Sequence, residues 1–178
     1  MAELVPKLYR YQFDPNSKVH DAMTQVWHSV VADPKRTVDE QFDPIMDELL
    51  SSANAKEWRV RQACAGGLAE LVGGREMTQI GKHLDRLWYV VLHLVDDMKE
   101  TVRVVARSTC QALGTTSVRL CSTDYAGPQA ASKAVAIVIP VLLQRGVSSR
   151  ADDVRALSVK FLVQVCKHAG PRLRPHCA

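Results

Sequence analysis

Val60-Arg61-Gln62-Ala63-Cys64, continued by Leu68 and Leu71, and Val102-Arg103-Val104-Val105-Ala106, continued by Cys110 and Leu113, are one pattern written twice. Apolar residues fall at relative positions 0, 3, 4, 8 and 11, with a basic residue at position 1. A third copy runs Val154-Arg155-Ala156-Leu157-Ser158, then Leu162 and Val165, with Ser158 as its polar exception. A weaker first copy runs Val19-His20-Asp21-Ala22-Met23, then Trp27 and Val30. The spacing within each copy is the stripe of a helix that buries one face. The copies start 41, 42 and 52 residues apart, a long internal period that predicts stacked helix pairs.

A period of about 40 to 47 residues is that of HEAT and armadillo repeats. The expected fold is therefore all-α, a HEAT/armadillo-like α-solenoid of about four helix pairs. The repeats are expected over about 3–32, 36–73, 76–121 and 127–168, forming one array over 1–169. The tail 170–178, with two prolines and no periodicity, is expected to be irregular. Such an array stabilises itself through contacts between neighbouring repeats and offers an extended surface for other proteins.

Local signals place the elements. Leu4–Tyr11 and Ser17–Val31 make the first pair, joined by Phe13-Asp14-Pro15-Asn16. Thr37-Val38-Asp39-Glu40 reads as a capping box, with Glu40 reaching back to the Thr37 amide. Pro44 should kink the following stretch or restart the helix after Asp43. Gly73-Gly74 is a helix stop that uses a left-handed glycine. Ser122–Gln129 is the longest connector and accounts for the wider last spacing.

Composition sets the class. Hydrophobic residues make up 47% and charged residues 24%, as in ordered globular proteins. The 23 Lys and Arg are interleaved with 19 Asp and Glu for a net charge of +4, which does not suggest nucleic acid as a partner. The richest apolar run, Ala134–Leu143, contains Pro140 and is shorter than the ~20 residues a bilayer demands, so no membrane insertion is expected. Glu3, Lys7 and Arg10 interrupt any signal-peptide core. The cysteines at 64, 110, 121, 166 and 177 include no CxxC spacing and are expected as reduced thiols, with Cys121 accessible in its connector.

No catalytic constellation emerges. His83 and His93 share one expected helix but stand ~15 Å apart by rise, too far for one metal. HExxH, paired zinc cysteines and the GxxxxGK[ST] phosphate loop are all missing from the sequence. The expectation is a protein without catalytic residues, cofactor or metal. Two groups of residues stand out instead. His20, Arg61, Arg103 and Arg155 occupy equivalent repeat positions, either as a turn-stabilising ladder or as a cationic groove for acidic peptide or phosphate. Trp58, flanked by Glu57 and Arg59 at the start of a helix, is either an interface anchor or a staple over the next helix. Trp58, Arg59 and Lys99 are the protein-interface candidates, while Trp27 and Trp88 fall on apolar stripes and are expected in the core.

Three stretches go beyond a generic repeat: Leu4-Val5-Pro6-Lys7-Leu8-Tyr9-Arg10-Tyr11-Gln12-Phe13-Asp14-Pro15-Asn16, Glu57-Trp58-Arg59-Val60-Arg61, and Asp96-Asp97-Met98-Lys99-Glu100-Thr101-Val102-Arg103. The chain here resembles the proteasome adapter and scaffold protein family, HEAT-repeat proteins far longer than this sequence. The likeness covers about residues 4–120 well and the remainder more loosely, which points to an internal fragment. It implies a non-catalytic scaffold, cytoplasmic and nuclear, that binds proteasome core and regulatory particles and supports 26S assembly or tethering. A tubulin-binding HEAT array, suggested by Trp58-Arg59-Val60-Arg61, and a structural spacer are the alternatives. HEAT repeats commonly carry an Asp six residues before the Arg. Asp14 with His20 and Asp97 with Arg103 keep that spacing, whereas Ala55 and Ser149 replace the acid in the other two repeats. At the ends, Leu4, Val5, Leu8 and Tyr9, and Leu157, Phe161, Leu162 and Val165, look like uncapped apolar faces through which the isolated chain would self-associate.

Overall fold

A computed structural model describes residues 4–169, which form an all-α array with no strand among the described residues. The tail 170–178, including Cys177, lies outside the described residues. The first pair is α1 (Leu4–Tyr11) and α2 (Ser17–Val30). The second is α3 (Pro34–Glu40) and α4 (Phe42–Ser52) against α5 (Trp58–Val72). The third is α6 (Met77–Ile80), a 3₁₀ turn (Gly81–His83) and α7 (Leu84–Val95) against α8 (Glu100–Cys121). After the short α9 (Thr123–Ala126), the last pair is α10 (Pro128–Val141), extended by a π-helical turn (Leu142–Val147), and α11 (Asp152–Ala169).

The pairs stack in two layers. The first helices α1, α4, α7 and α10 follow one another on one side, and α5, α8 and α11 on the other. Small and hydroxyl residues explain how closely the second helices approach. The hydroxyls of Thr109 and Thr116 on α8 donate to the carbonyls of Ala65 (2.8 Å) and Val72 (3.2 Å) on α5. The edge of the Phe161 ring on α11 lies where a side chain at Gly114 would begin, 2.1 Å from that Cβ position, so only glycine fits there. Phe161 then meets the wholly buried Trp88 edge-on, and the Trp88 indole donates to Ser117 Oγ at 3.0 Å. Trp27 is buried as well, edge-on to Tyr9.

Several local expectations are corrected. Asp33, not Thr37, caps α3: its carboxylate accepts the Arg36 amide at 3.0 Å, and Pro34 takes the first helical turn. Thr37 is then inside the helix with its amide on the Asp33 carbonyl, and Glu40 pairs with Arg36 instead. The chain breaks at Gln41, earlier than expected, so Pro44 falls in the first turn of α4, where a missing N–H costs nothing. The 122–129 connector contains a helical turn and ends at Gly127, whose φ of 77° demands glycine. Gly74 holds the left-handed position of the other stop, at φ 72°. Cys121 is the fully buried last residue of α8 rather than an accessible loop thiol.

Two larger corrections concern apolar surface. The apolar run is longer than expected: α10 and its π turn continue through Pro140 over Pro128–Val147, 20 residues whose most apolar 18-residue window has a mean hydropathy of 1.4, long and apolar enough by length and composition to cross a membrane. Its buried residues pack on α7, α8 and α11, so core packing accounts for much of that character. The ends also differ from expectation. Val5, Leu8, Tyr9, Phe161 and Val165 are buried against neighbouring helices; the exposed apolar residues there include Leu4, Tyr11, Val26, Val30, Val159 and Val163.

Candidate functional site, a protein-docking edge at the helix turns

The basic row lines the edge where first helices turn into second helices. Arg61, Arg103 and Arg155 each direct one guanidinium nitrogen to the carbonyls six and five residues earlier. Arg61 Nη1 donates to Ala55 (2.9 Å) and Lys56 (2.8 Å), and Arg103 Nη1 to Asp97 (2.7 Å) and Met98 (3.3 Å). Arg155 Nη1 donates to Ser149 (2.9 Å) and Arg150 (2.8 Å). The clamp uses backbone oxygens, which is why Ala55 and Ser149 serve as well as an acid. In the first repeat, His20 Nδ1 lies 2.5 Å from the Gln12 carbonyl, while Asp14 accepts the Asn16 amide and does not meet His20.

The Asp97 carboxylate has a different partner from the one its spacing suggests. It receives Arg61 of the preceding repeat in a bidentate pair, Nε to Oδ2 at 2.6 Å and Nη2 to Oδ1 at 2.9 Å. The Lys99 amide adds a third donor at 2.8 Å. Burial works to raise the Asp97 pKa, but hydrogen bonds from Arg61 and the Lys99 amide outweigh it, and the carboxyl is held below the usual carboxylate range. Arg103 also pairs with Glu100, and Arg155 with Asp152, within their own first turns. The rung therefore joins the second and third repeats, and the charges of Arg61 and Asp97 are consumed by each other.

Around that rung the structure brings the three interface candidates together. The Trp58 ring is half-buried, and it holds the Arg59 guanidinium 5.4 Å from its centroid on one flank and Lys99 Nζ at 5.2 Å on another. Both distances are within cation–π range. Neither side-chain cation makes an ion pair among the described residues. Met98, at the tip of the neighbouring turn, is 97% exposed. Trp58, Met98 and Lys99, with Lys56 and His93, border a shallow groove of about 610 Å³, and Arg59 lies outside its lining. An aromatic ring, an exposed thioether and unpaired cations form a surface suited to a protein partner. Met98 was missed in the sequence; its position between Asp97 and Lys99 in a turn was the available signal.

The remaining chemistry is muted. Burial pushes the thiols of Cys64, Cys110 and Cys121 up to about 12, which keeps them from acting as thiolates near neutral pH. His83 Nε2 sits 2.8 Å from Asp43 Oδ1, joining the second and third repeats.

No protein-family model matches the chain. It is 38% identical over 176 residues to the human proteasome adapter and scaffold protein ECM29, a match that covers 99% of this chain and 9% of that protein. The Drosophila melanogaster proteasome-associated protein ECM29 homolog is 27% identical over 199 residues, covering 100% of this chain and 10% of the relative. The proteasome component ECM29 of Saccharomyces cerevisiae is 29% identical over 175 residues, covering 97% and 9%. The chain thus spans 9–10% of the length of these relatives. Along nearly its whole length the chain is a homologue of one stretch of the Ecm29 family of proteasome adapter and scaffold proteins.

Proposed function

We propose that this chain is a non-catalytic HEAT-repeat adapter segment that binds the 26S proteasome, through its core and regulatory particles, and supports their assembly or tethering. The observation that carries this reading is end-to-end similarity to proteins named for the proteasome in human, fly and yeast. The mechanism is equilibrium docking: the helix stack presents the Trp58–Arg59–Lys99 edge, with both cations held against one ring, to a protein partner. We place this activity in the cytoplasm and nucleus, where fluorescently tagged chain is expected to co-distribute with proteasomes.

The test is affinity capture by the 178-residue chain from lysate, read by mass spectrometry, beside a Trp58→Ala/Arg59→Ala variant. Enrichment of core or regulatory proteasome subunits by the native chain, reduced by the variant, is the expected result. Enrichment of tubulin would move the reading to a tubulin-binding array. Recovery of neither by a chain that is helical in solution would leave a structural spacer.

A further inference from the structure

The one irregular repeat spacing, 52 residues against 41 and 42, has a structural consequence away from the Trp58 edge. The extra residues include α9, which packs between the end of α8 and the start of α10. Between α6 and the α9–α10 junction lies a groove of about 1030 Å³. Its walls are Met77 and Gly81 on one side and Ala130, Ala136 and Ile137 of α10 on the other. Small side chains line it, and Gly81 is fitted against the Met77 thioether.

Two observations say what the groove receives. The first is surplus apolar surface. The most apolar 18-residue window of the Pro128–Val147 helix is only 44% buried, and Ala130, Ala136 and Ile137 are among the residues the core leaves partly or fully exposed. The second is charge: no carboxylate lines the groove, while Lys82 and Lys133 do. Lys82 reaches Asp43 at 2.6 Å, and Lys133 makes no ion pair among the described residues. Two turns of helix are ~10 Å across and ~11 Å long, a size whose one face the groove can seat. Few polar groups are present to orient a small molecule, and a concave trough does not suit the flat surface of a bilayer.

We infer that this groove is a second docking site, for an amphipathic helix of a partner protein that seats an apolar ridge on α10 and directs a carboxylate at Lys133. It is separate from the Trp58 edge and does not depend on the identity of the partner there. The probe is a fluorescently labelled helical peptide of about four turns, with leucines on one face and glutamates flanking them, titrated with the 178-residue chain and followed by anisotropy. A matched peptide with lysine flanks runs beside it. The glutamate peptide should bind at least about tenfold more tightly than the lysine peptide, and Lys133→Glu should remove most of that preference. Ala136→Trp, which fills the trough from a solvent-exposed position, should abolish binding without lowering the melting temperature; if that variant is unstable, Lys133→Glu decides. Equal binding of the two peptides, indifference to Lys133→Glu, or association with phosphatidylcholine–phosphatidylserine vesicles but not with peptide would overturn the proposal.

Discussion

Helices α2 and α8 carry the same written stripe and meet different fates. In α8 the stripe positions Val102, Ala106, Cys110 and Leu113 are buried and Val105 half-buried, within a helix that buries ten residues in all. In α2 only Trp27 is buried; Val19 and Met23 are half-buried, and Ala22 and Val30 are exposed. The difference is the neighbours. Helix α8 is held by α5, α7, α10 and α11, whereas the packing of α2 is chiefly against α1. A stripe states which face a helix can bury, and adjacent repeats decide how much of it is buried.

The largest effect that separates the two regions should come from truncation. Leu68→Ala on α5, a wholly buried stripe position, is expected to cost ~2–5 kcal/mol in denaturant unfolding, whereas Val26→Ala on α2 should stay within ~0.5 kcal/mol. Equal losses at the two sites would mean that α2 is packed as tightly as the centre of the array.

The ladder sharpens the contrast at smaller scale. Arg61→Ala leaves Asp97 buried without its bidentate partner and should cost ~1–3 kcal/mol. Arg155→Ala removes a clamp whose ion pair with Asp152 is solvent-exposed, and ~0–1 kcal/mol is expected. If the two variants melt alike, the cross-repeat rung contributes nothing beyond the carbonyl clamp that both share.

Acid should act through the same rung. Because the Asp97 pKa is depressed in the folded chain, its contribution is complete above the unfolded carboxylate value near 4 and is lost as pH falls through the folded value. Stability of the native chain should therefore fall below about pH 4. Asp97→Asn should start less stable and show a shallower fall across that window, as measured by denaturant midpoints at each pH. Parallel pH curves for the two would remove Asp97 from the account.

Much of the architecture was legible because helical periodicity is local. The stripes at Val60, Val102 and Val154 placed α5, α8 and α11, and the Gly73-Gly74 stop was readable from backbone chemistry. What escaped the sequence was set by residues distant along the chain. The cross-repeat partner of Asp97, the burial of Cys121 and the loose seating of α2 each depend on which neighbour arrives, and spacing within a repeat is silent on that. Thr37 and Glu40 matched a capping box, but Asp33-Pro34 supplied a better helix start four residues earlier. For the interface candidates, sequence supplied Trp58, Arg59 and Lys99 as separate residues, and the fold supplied their convergence around one ring.

The most direct test of the central claim is equilibrium binding of the purified 178-residue chain to surface-immobilised 26S proteasome, beside a Trp58→Ala/Arg59→Glu/Lys99→Glu variant with matched melting temperature. The account predicts saturable binding by the native chain and at least about tenfold weaker binding by the variant. Absence of binding by the native chain would contradict the proposed adapter role, and equal binding by both would place the contact elsewhere than the Trp58 edge.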